Sequence, residues 1–325
     1  MILQNNEANT VINSNNFKYH PKYQSFEEDS NDEFLKIKPL SKSKYEGSPD
    51  SIKQLQNILR VDNKKKINNE KKGGYIPKQR IVHFDMKGAA PKVSYLKQIF
   101  HLIKKAGATG IMIEWEDMFP FEGDLAIGKH EFAYSKNDVL EILDTAESLN
   151  LEVIPLIQSF GHFEYFLKFQ EYRSLREIDL FPQAVCPSKS DSFKLITQII
   201  DQVMALHKKA NFLHIGCDEV FQLGSCDKCR QIARDKLFLD HGKFYDMINK
   251  NRFKYDFLLI FTVTKVATYV NKKYKINSIM WDDMLRQFSD TIIQQYDFEK
   301  IGLEIMVWTY IDGMIFLKYI SIFSI

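Results

Sequence analysis

Two adjacent carboxylates, Asp218 and Glu219, close the segment FLHIGCDEV that runs from Phe212 to Val220. A short apolar run bounded by polar residues reads as a buried parallel strand. Acidic residues at the C-terminal end of such a strand stand where an α/β barrel holds its chemistry. There they can act as acid, as base or as stabilisers of developing positive charge. Successive side chains on a strand point to opposite faces, so the two carboxylates can serve one site only where the strand ends and the backbone turns. The alternative is the acidic first turn of a helix, since Asp and Glu suit a helix N-terminus.

Elements able to position such a pair recur along the chain. IVHFDMKG reads as a strand ending in Asp85 and Lys87, followed by a helix from Pro91 to Ala106. Gly110 to Phe119 is a second strand whose end carries Glu114, Glu116 and Asp117. Ser135 caps a helix running to about Leu149, with Asp138 in its first turn. Leu151 to His162 is a third strand ending in Gln158 and His162, with a helix from about Glu164. Asp191 to Leu206 is a further helix, Phe212 to Val220 the fourth strand, and Asp227 to Leu239 helical. Asn277 to Met284 and Glu304 to Tyr310 are strands whose ends present Trp281, Asp283, Trp308 and Tyr310. Repeated β-then-α implies a parallel sheet. Polar clustering at successive strand ends favours a (β/α)8 TIM barrel over an open sheet, with six strands legible.

The remaining composition excludes more than it assigns. The 325 residues are 45% hydrophobic, enough for a sizeable core, and the net charge of +2 gives no reason to expect nucleic acid or a membrane as partner. Four cysteines are too few for a secreted disulfide scaffold. The first residues lack the layout of a signal peptide and the chain has no N-x-[ST] acceptor, so a cytosolic or nuclear setting is expected. The apolar stretches Leu258 to Val270 and Met314 to Ile325 are interrupted by lysine and too short to span a bilayer. Residues 1 to 78 are rich in Asn, Ser and Lys and read as a disordered extension. Within them KKKINNEKK reads as a nuclear-import patch or as a solvated linker. Cys226-x-x-Cys229 has the spacing of half a zinc site, which Cys217, His214 or His241 would complete. Without a second CxxC, free thiols are the expectation.

Carboxylates beside a histidine and strand-end aromatics suggest sugar chemistry, because aromatic faces pack on pyranose rings. The strings HFDMKGAAPKVSYL, IEWEDMFPFEG, VIPLIQSFGHFEYFLK, LHIGCDEV, WDDML and VWTY fall in order between Arg80 and Tyr310. In these strings the chain resembles the β-N-acetylhexosaminidases of glycoside hydrolase family 20, nearest to their intracellular branch. The resemblance implies an exo-acting retaining glycosidase on terminal N-acetylgalactosamine or N-acetylglucosamine, needing neither cofactor nor metal. Its nucleophile would be the substrate's own 2-acetamido oxygen, which forms an oxazolinium intermediate. It gives Glu219 the role of acid and then base, and Asp218 the role of clamp on the acetamido N–H. Glu219 would need a raised pKa while Asp218 stays ionised. The resemblance also makes His162 and Asp117 (Glu116 second) supports of the acid, where His162 alone would read as a structural histidine. By the same resemblance Trp281 and Trp308 would wall the acetamido pocket and Tyr310 would hydrogen-bond the acetamido oxygen, although Trp281 and Trp308 could equally be core, and Trp115 reads more as core.

Three departures stand out. An arginine that often grips sugar hydroxyls is replaced by Lys87-Gly88, so hydroxyl recognition must differ, with Asp85 or Lys87 as candidates to contribute. A frequent acid of the third strand is Gln158, and Asp283 joins the strand-end acids. Nothing after Tyr310 resembles the family's last βα units, and residues 314 to 325 form an atypical apolar tail. The expected glycosidase region is therefore 79 to 313, a barrel incomplete at its C-terminus with exposed strand edges. The implied partners are glycoconjugates or oligosaccharides with terminal β-linked N-acetylhexosamine, with a homodimer left open. The alternative functions are a shortened, weakly active or inactive sugar-binding or interaction protein, and a zinc-binding interaction protein built on the cysteines.

Overall fold

The computed structural model describes residues 76–239, 253–286, 288 and 298–307. The N-terminal extension (up to residue 75), the apolar tail, His241, Trp308 and Tyr310 lie outside these residues.

Six strands build one parallel sheet: β1 (Ile81–Asp85), β2 (Gly110–Glu114), β3 (Glu152–Leu156), β6 (Phe212–His214), β7 (Asn277–Trp281) and β8 (Leu303–Met306), side by side in that order. Every neighbouring pair is parallel, with Ile81 opposite Gly110 and Gly110 opposite Glu152. Helices α1 (Val93–Lys105), α2 (Lys136–Ser148), α4 (Ser190–Leu206) and α6 (Phe253–Tyr274) lie between strands in the chain, the alternation of a TIM-barrel-like fold. Six of the eight strands of a closed barrel are thus described.

Parity along the strands sorts the core into two parts. Ile81, Met112, Ile154, Leu156, Ile279 and Trp281 fall in a small inner cluster, whereas Ile111, Ile113, Leu213 and Met280 join the large cluster shared with the helices. Period two sends alternate residues to opposite faces. The same parity carries His83, Asp85, Glu114 and Gln158 to the inner face at the C-terminal rim.

The structure shortens or replaces several expected elements. The fourth strand stops at His214 instead of reaching Val220, because Gly216 and Cys217 take left-handed φ of 65° and 70° and turn the chain. The third stops at Leu156, and the strand expected from Asn277 to Met284 ends at Trp281, before a short turn over Asp283–Leu285. Helix α3 (Glu164–Leu167) is a single turn, followed by an antiparallel hairpin of β4 (Arg176–Ile178) and β5 (Phe181–Val185). Helix α5 (Asp227–Leu239) has its expected span. Apolar residues 258–270 belong to α6, whose Leu258, Val263, Val266 and Val270 are buried, while Lys265 Nζ lies 4.0 Å from the Phe193 ring centre. No described helix is long and apolar enough to cross a membrane.

Candidate active site

A cleft of about 720 Å³ opens at the C-terminal ends of the parallel strands. Asp218 and Glu219 stand on the loop after β6, on its wall. Glu219 has a φ of 50° and its N–H donates to Asp283 Oδ2 at 2.9 Å. The left-handed turn breaks strand alternation, so both neighbouring carboxylates face one cavity. His162 reaches both: its Nε2 lies 3.3 Å from Asp218 Oδ2 and 3.3 Å from Glu219 Oε2. Its own φ is 48°, and such left-handed non-glycine residues are held only where the surroundings impose them.

Close approach of Gly161 to the Asp218 backbone and of Gly216 to the Gln158 side chain holds this junction. A Cβ on Gly161 would sit 2.4 Å from the Asp218 carbonyl oxygen, and one on Gly216 would sit 2.2 Å from Gln158 Oε1. Only glycine lets the loops after β3 and β6 meet. From β5, Gln183 Nε2 donates to the Glu219 carbonyl at 3.4 Å.

Electrostatics make the site asymmetric. The hydrogen bond and charge of Asp218, against the opposing effect of burial, raise the His162 pKa to about 9. Burial pulls Asp218 upward, but its hydrogen bond to His162 and the histidine charge outweigh that and hold it below the ordinary carboxylate value. Near neutrality the site therefore holds a histidinium and an ionised Asp218. Asp218 Oδ1 is buried and has no hydrogen-bond partner among the described residues.

Across the cleft, burial pushes Glu116 up to about 8 despite Lys87, whose Nζ is 3.2 Å from Glu116 Oε1. Burial lowers the Lys87 pKa, but the charges of Glu116, Glu164 and Asp85 and the hydrogen bond to Glu116 together outweigh it, giving a net rise. Asp85 accepts the Lys87 backbone N–H. Trp281 forms another wall, its ring 4.3 Å from that of His214 and 5.9 Å from that of His83.

The structure thus brings Asp218, Glu219, His162, Asp85, Lys87, Glu116 and Trp281 to one cavity, with Asp283 behind Glu219. Asp117 does not line that cavity; its Oδ2 lies 3.4 Å from Lys168 Nζ, and Glu114 and Glu116 are the second-strand acids inside. Trp115 is core, donating to His207 Nε2. The sequence reading passed over His83 and gave His214 only a place in a zinc site, although both share parity with strand-end residues. His83 Nε2 lies 3.1 Å from Glu114 Oε2, and the Gln158 amide donates to Glu114 Oε1 at 2.9 Å. Cys217 and His214 do not join the Cys226-x-x-Cys229 pair, which gathers with Glu177 of β4 and Cys186 at the end of β5.

Comparison with known proteins gives this geometry a setting. Residues 96–318 match the family Glycosyl hydrolase family 20, catalytic domain. The chain is 40% identical over 238 residues to Hexosaminidase D of Bos taurus, covering 71% of this chain and 62% of that protein. To Hexosaminidase D of Homo sapiens it is 39% identical over 238 residues, covering 71% and 44%. It spans less than two thirds of the length of these relatives. In fold it is similar to a beta-N-acetylhexosaminidase from Bacteroides fragilis, with TM-score 0.53, 18% identity and coverage of 71% of this chain and 46% of that one. It is similar too to a chitobiase from Flavobacterium johnsoniae, with TM-score 0.54, 14% identity and coverage of 73% and 34%. At such identities the likeness is one of fold. The family match, by contrast, runs through every described strand from β2 to β8, and this chain belongs to glycosyl hydrolase family 20.

Proposed function

We propose that this chain is an exo-acting, retaining β-N-acetylhexosaminidase that removes terminal N-acetylgalactosamine or N-acetylglucosamine by substrate-assisted catalysis. The observation that carries the reading is His162 within 3.3 Å of both Asp218 and Glu219 at the rim of the parallel sheet. Names of the relatives supply the substrate class.

In the first step the 2-acetamido oxygen of the substrate bonds to the anomeric carbon as the glycosidic bond breaks. Glu219 gives its proton to the leaving oxygen, and an oxazolinium forms. Asp218 takes the acetamido N–H through its buried Oδ1 and stabilises the charge that spreads onto nitrogen. In the second step Glu219 takes a proton from water, which opens the oxazolinium from the same face as the departed group. Two displacements leave the product in the β configuration.

His162 keeps Asp218 ionised and aims both carboxylates. Trp281 forms a wall of the acetamido pocket, and Asp85, Lys87 and Glu116 reach the sugar hydroxyls. Trp308 and Tyr310 would complete that wall, and Asp283 fixes the Glu219 backbone. The compact unit from Gly74 onward and the family match support a glycosidase region over 79–313, preceded by the polar extension. Four free cysteines support a reducing, cytosolic or nuclear setting.

Release of 4-nitrophenol from the two aryl N-acetyl-β-hexosaminides, with the first-formed anomer followed by NMR, tests the reading. Turnover with β product first is expected. Inversion at the anomeric carbon contradicts the mechanism. Binding of an oxazolinium-mimicking thiazoline with no turnover favours a sugar-binding protein.

A further inference from the structure

We infer that Glu177, Cys186, Cys226 and Cys229 form a structural metal site for a zinc-class divalent ion, separate from the sugar cleft. The ligand atoms of these residues all lie within 4.8 Å of one another. The Cys186 sulfur is 3.6 Å from that of Cys226 and 3.6 Å from that of Cys229. Ligand bonds of roughly 2.3 Å to sulfur in a tetrahedron put the sulfurs about 3.8 Å apart. Glu177 Oε2 is 3.4 Å from the Cys229 sulfur, against about 3.6 Å for a carboxylate oxygen and a thiolate on one tetrahedral ion.

The surroundings match such an ion. Glu177 is only 3% exposed and Cys186 and Cys229 are fully buried. Burying a carboxylate without a compensating charge is costly. Arg176, next to Glu177, does not supply it: the guanidinium donates to the carbonyls of Leu167, Lys168 and Asp179. Backbone amides complete the cage, since the Cys229 N–H donates to the Cys226 sulfur at 3.3 Å and the Cys226 N–H to Glu177 Oε1 at 3.0 Å. Such outer hydrogen bonds orient the ligands of a metal. Soft thiolates select zinc over calcium or magnesium, and four protein ligands close the site, which makes it structural.

A redox dithiol at the start of α5 is the competing chemistry. It uses two sulfurs and needs an accessible one, yet three sulfurs converge here and the acidic side chain joins them. Each thiol gives up a proton to solvent as the ion binds, so the site forms without an oxidant.

The proposed ion would clip β4, the end of β5 and the first turn of α5 together. β5 also carries Gln183, which holds the Glu219 carbonyl. The loop bearing Asp218 and Glu219 would thus be braced between the hairpin and α5.

Full-length chain, purified in reductant without chelator, should carry about one zinc per chain by elemental analysis. Cobalt(II) in its place should give a thiolate charge-transfer band and the intense visible bands of a tetrahedral ion. Cys186→Ser, Cys226→Ser and Glu177→Gln should each lower zinc retention by about tenfold or more, whereas Cys217→Ser should keep it. Should the cysteine variants fail to fold, release of zinc from the wild-type chain by a mercurial, counted against thiols titrated, decides the matter. Folded wild type with neither zinc nor the cobalt bands, zinc retention unmoved by the three variants, or a disulfide among these cysteines in the reduced preparation would overturn the proposal. None of these readouts needs glycosidase activity, so failure here leaves the hydrolase reading standing.

Discussion

His162 joins two neighbouring carboxylates, its Nε2 3.3 Å from an oxygen of each. It bonds to Asp218 strongly enough that its own pKa climbs from 6.5 to about 9 while that of Asp218 falls. Stability from this pair is complete below the ordinary histidine pKa of 6.5 and is lost as pH rises through about 9. From the Asp218 side it is lost as pH falls through that group's depressed pKa. His162→Gln should therefore cost on the order of 2–3 kcal/mol near neutrality. Thermal unfolding across pH should show this gap closing above about pH 9; a gap that widens there contradicts the pairing. In turnover, Glu219→Gln should lose roughly 10²–10⁴-fold in kcat, and Asp218→Asn about 10²–10³-fold. Initial rates on aryl N-acetylhexosaminides, with folding checked by circular dichroism, measure both. At this scale the acidic pair was read from its place after an apolar run and His162 only from the resemblance of its flanking string, and the three line one cleft. Glu116 was placed second to Asp117, and His83 went unseen. Which of two adjacent acids turns inward depends on the local backbone, here a left-handed Glu116, and that is not written in residue type.

Elements hold these side chains by contact that tolerates little change. Gly161→Ala would drive a methyl group into the Asp218 carbonyl, 2.4 Å away. It should cost about 1–3 kcal/mol and, by shifting the loop, as much as about 10²-fold in kcat/KM. Denaturant unfolding and steady-state kinetics read the two effects. Ser135→Ala offers the opposite case. Ser135 caps α2 in a capping box with Asp138, far from the chemistry in role. Its loss should cost about 1 kcal/mol with kcat/KM unchanged; altered catalysis would mean that α2 is coupled to the cleft. The strands, α1, α2, α4 and α5 were legible from period and caps. Strand ends were overrun, since apolar residues continue past the last ladder bond. The β4–β5 hairpin was invisible because REI and FPQAV, broken by Arg, Glu, Pro and Gln, carry no continuous apolar run like those of the parallel strands.

For the whole molecule, the parallel sheet gathers residues distant in sequence at one rim. Composition bounded the fold class, but only topology brings Lys87 to Glu116 and Asp283 to Glu219. Of the aromatics expected in the pocket, Trp281 lines the cleft, while Trp308 and Tyr310 lie outside the described residues. A thiazoline that mimics the oxazolinium should stabilise the folded chain by about 2.7 kcal/mol at a hundred times its Kd, seen as a higher Tm that Asp218→Asn removes. The central claim, that the substrate supplies its own nucleophile under the hold of Asp218, has one direct measurement. It is kcat/KM for aryl β-glycosides whose 2-acetamido methyl carries successively more fluorine. Rates that fall steeply with each fluorine, as the acetamido oxygen becomes less nucleophilic, are expected. Rates indifferent to fluorination, in a chain that still turns over the parent substrate, would contradict the account.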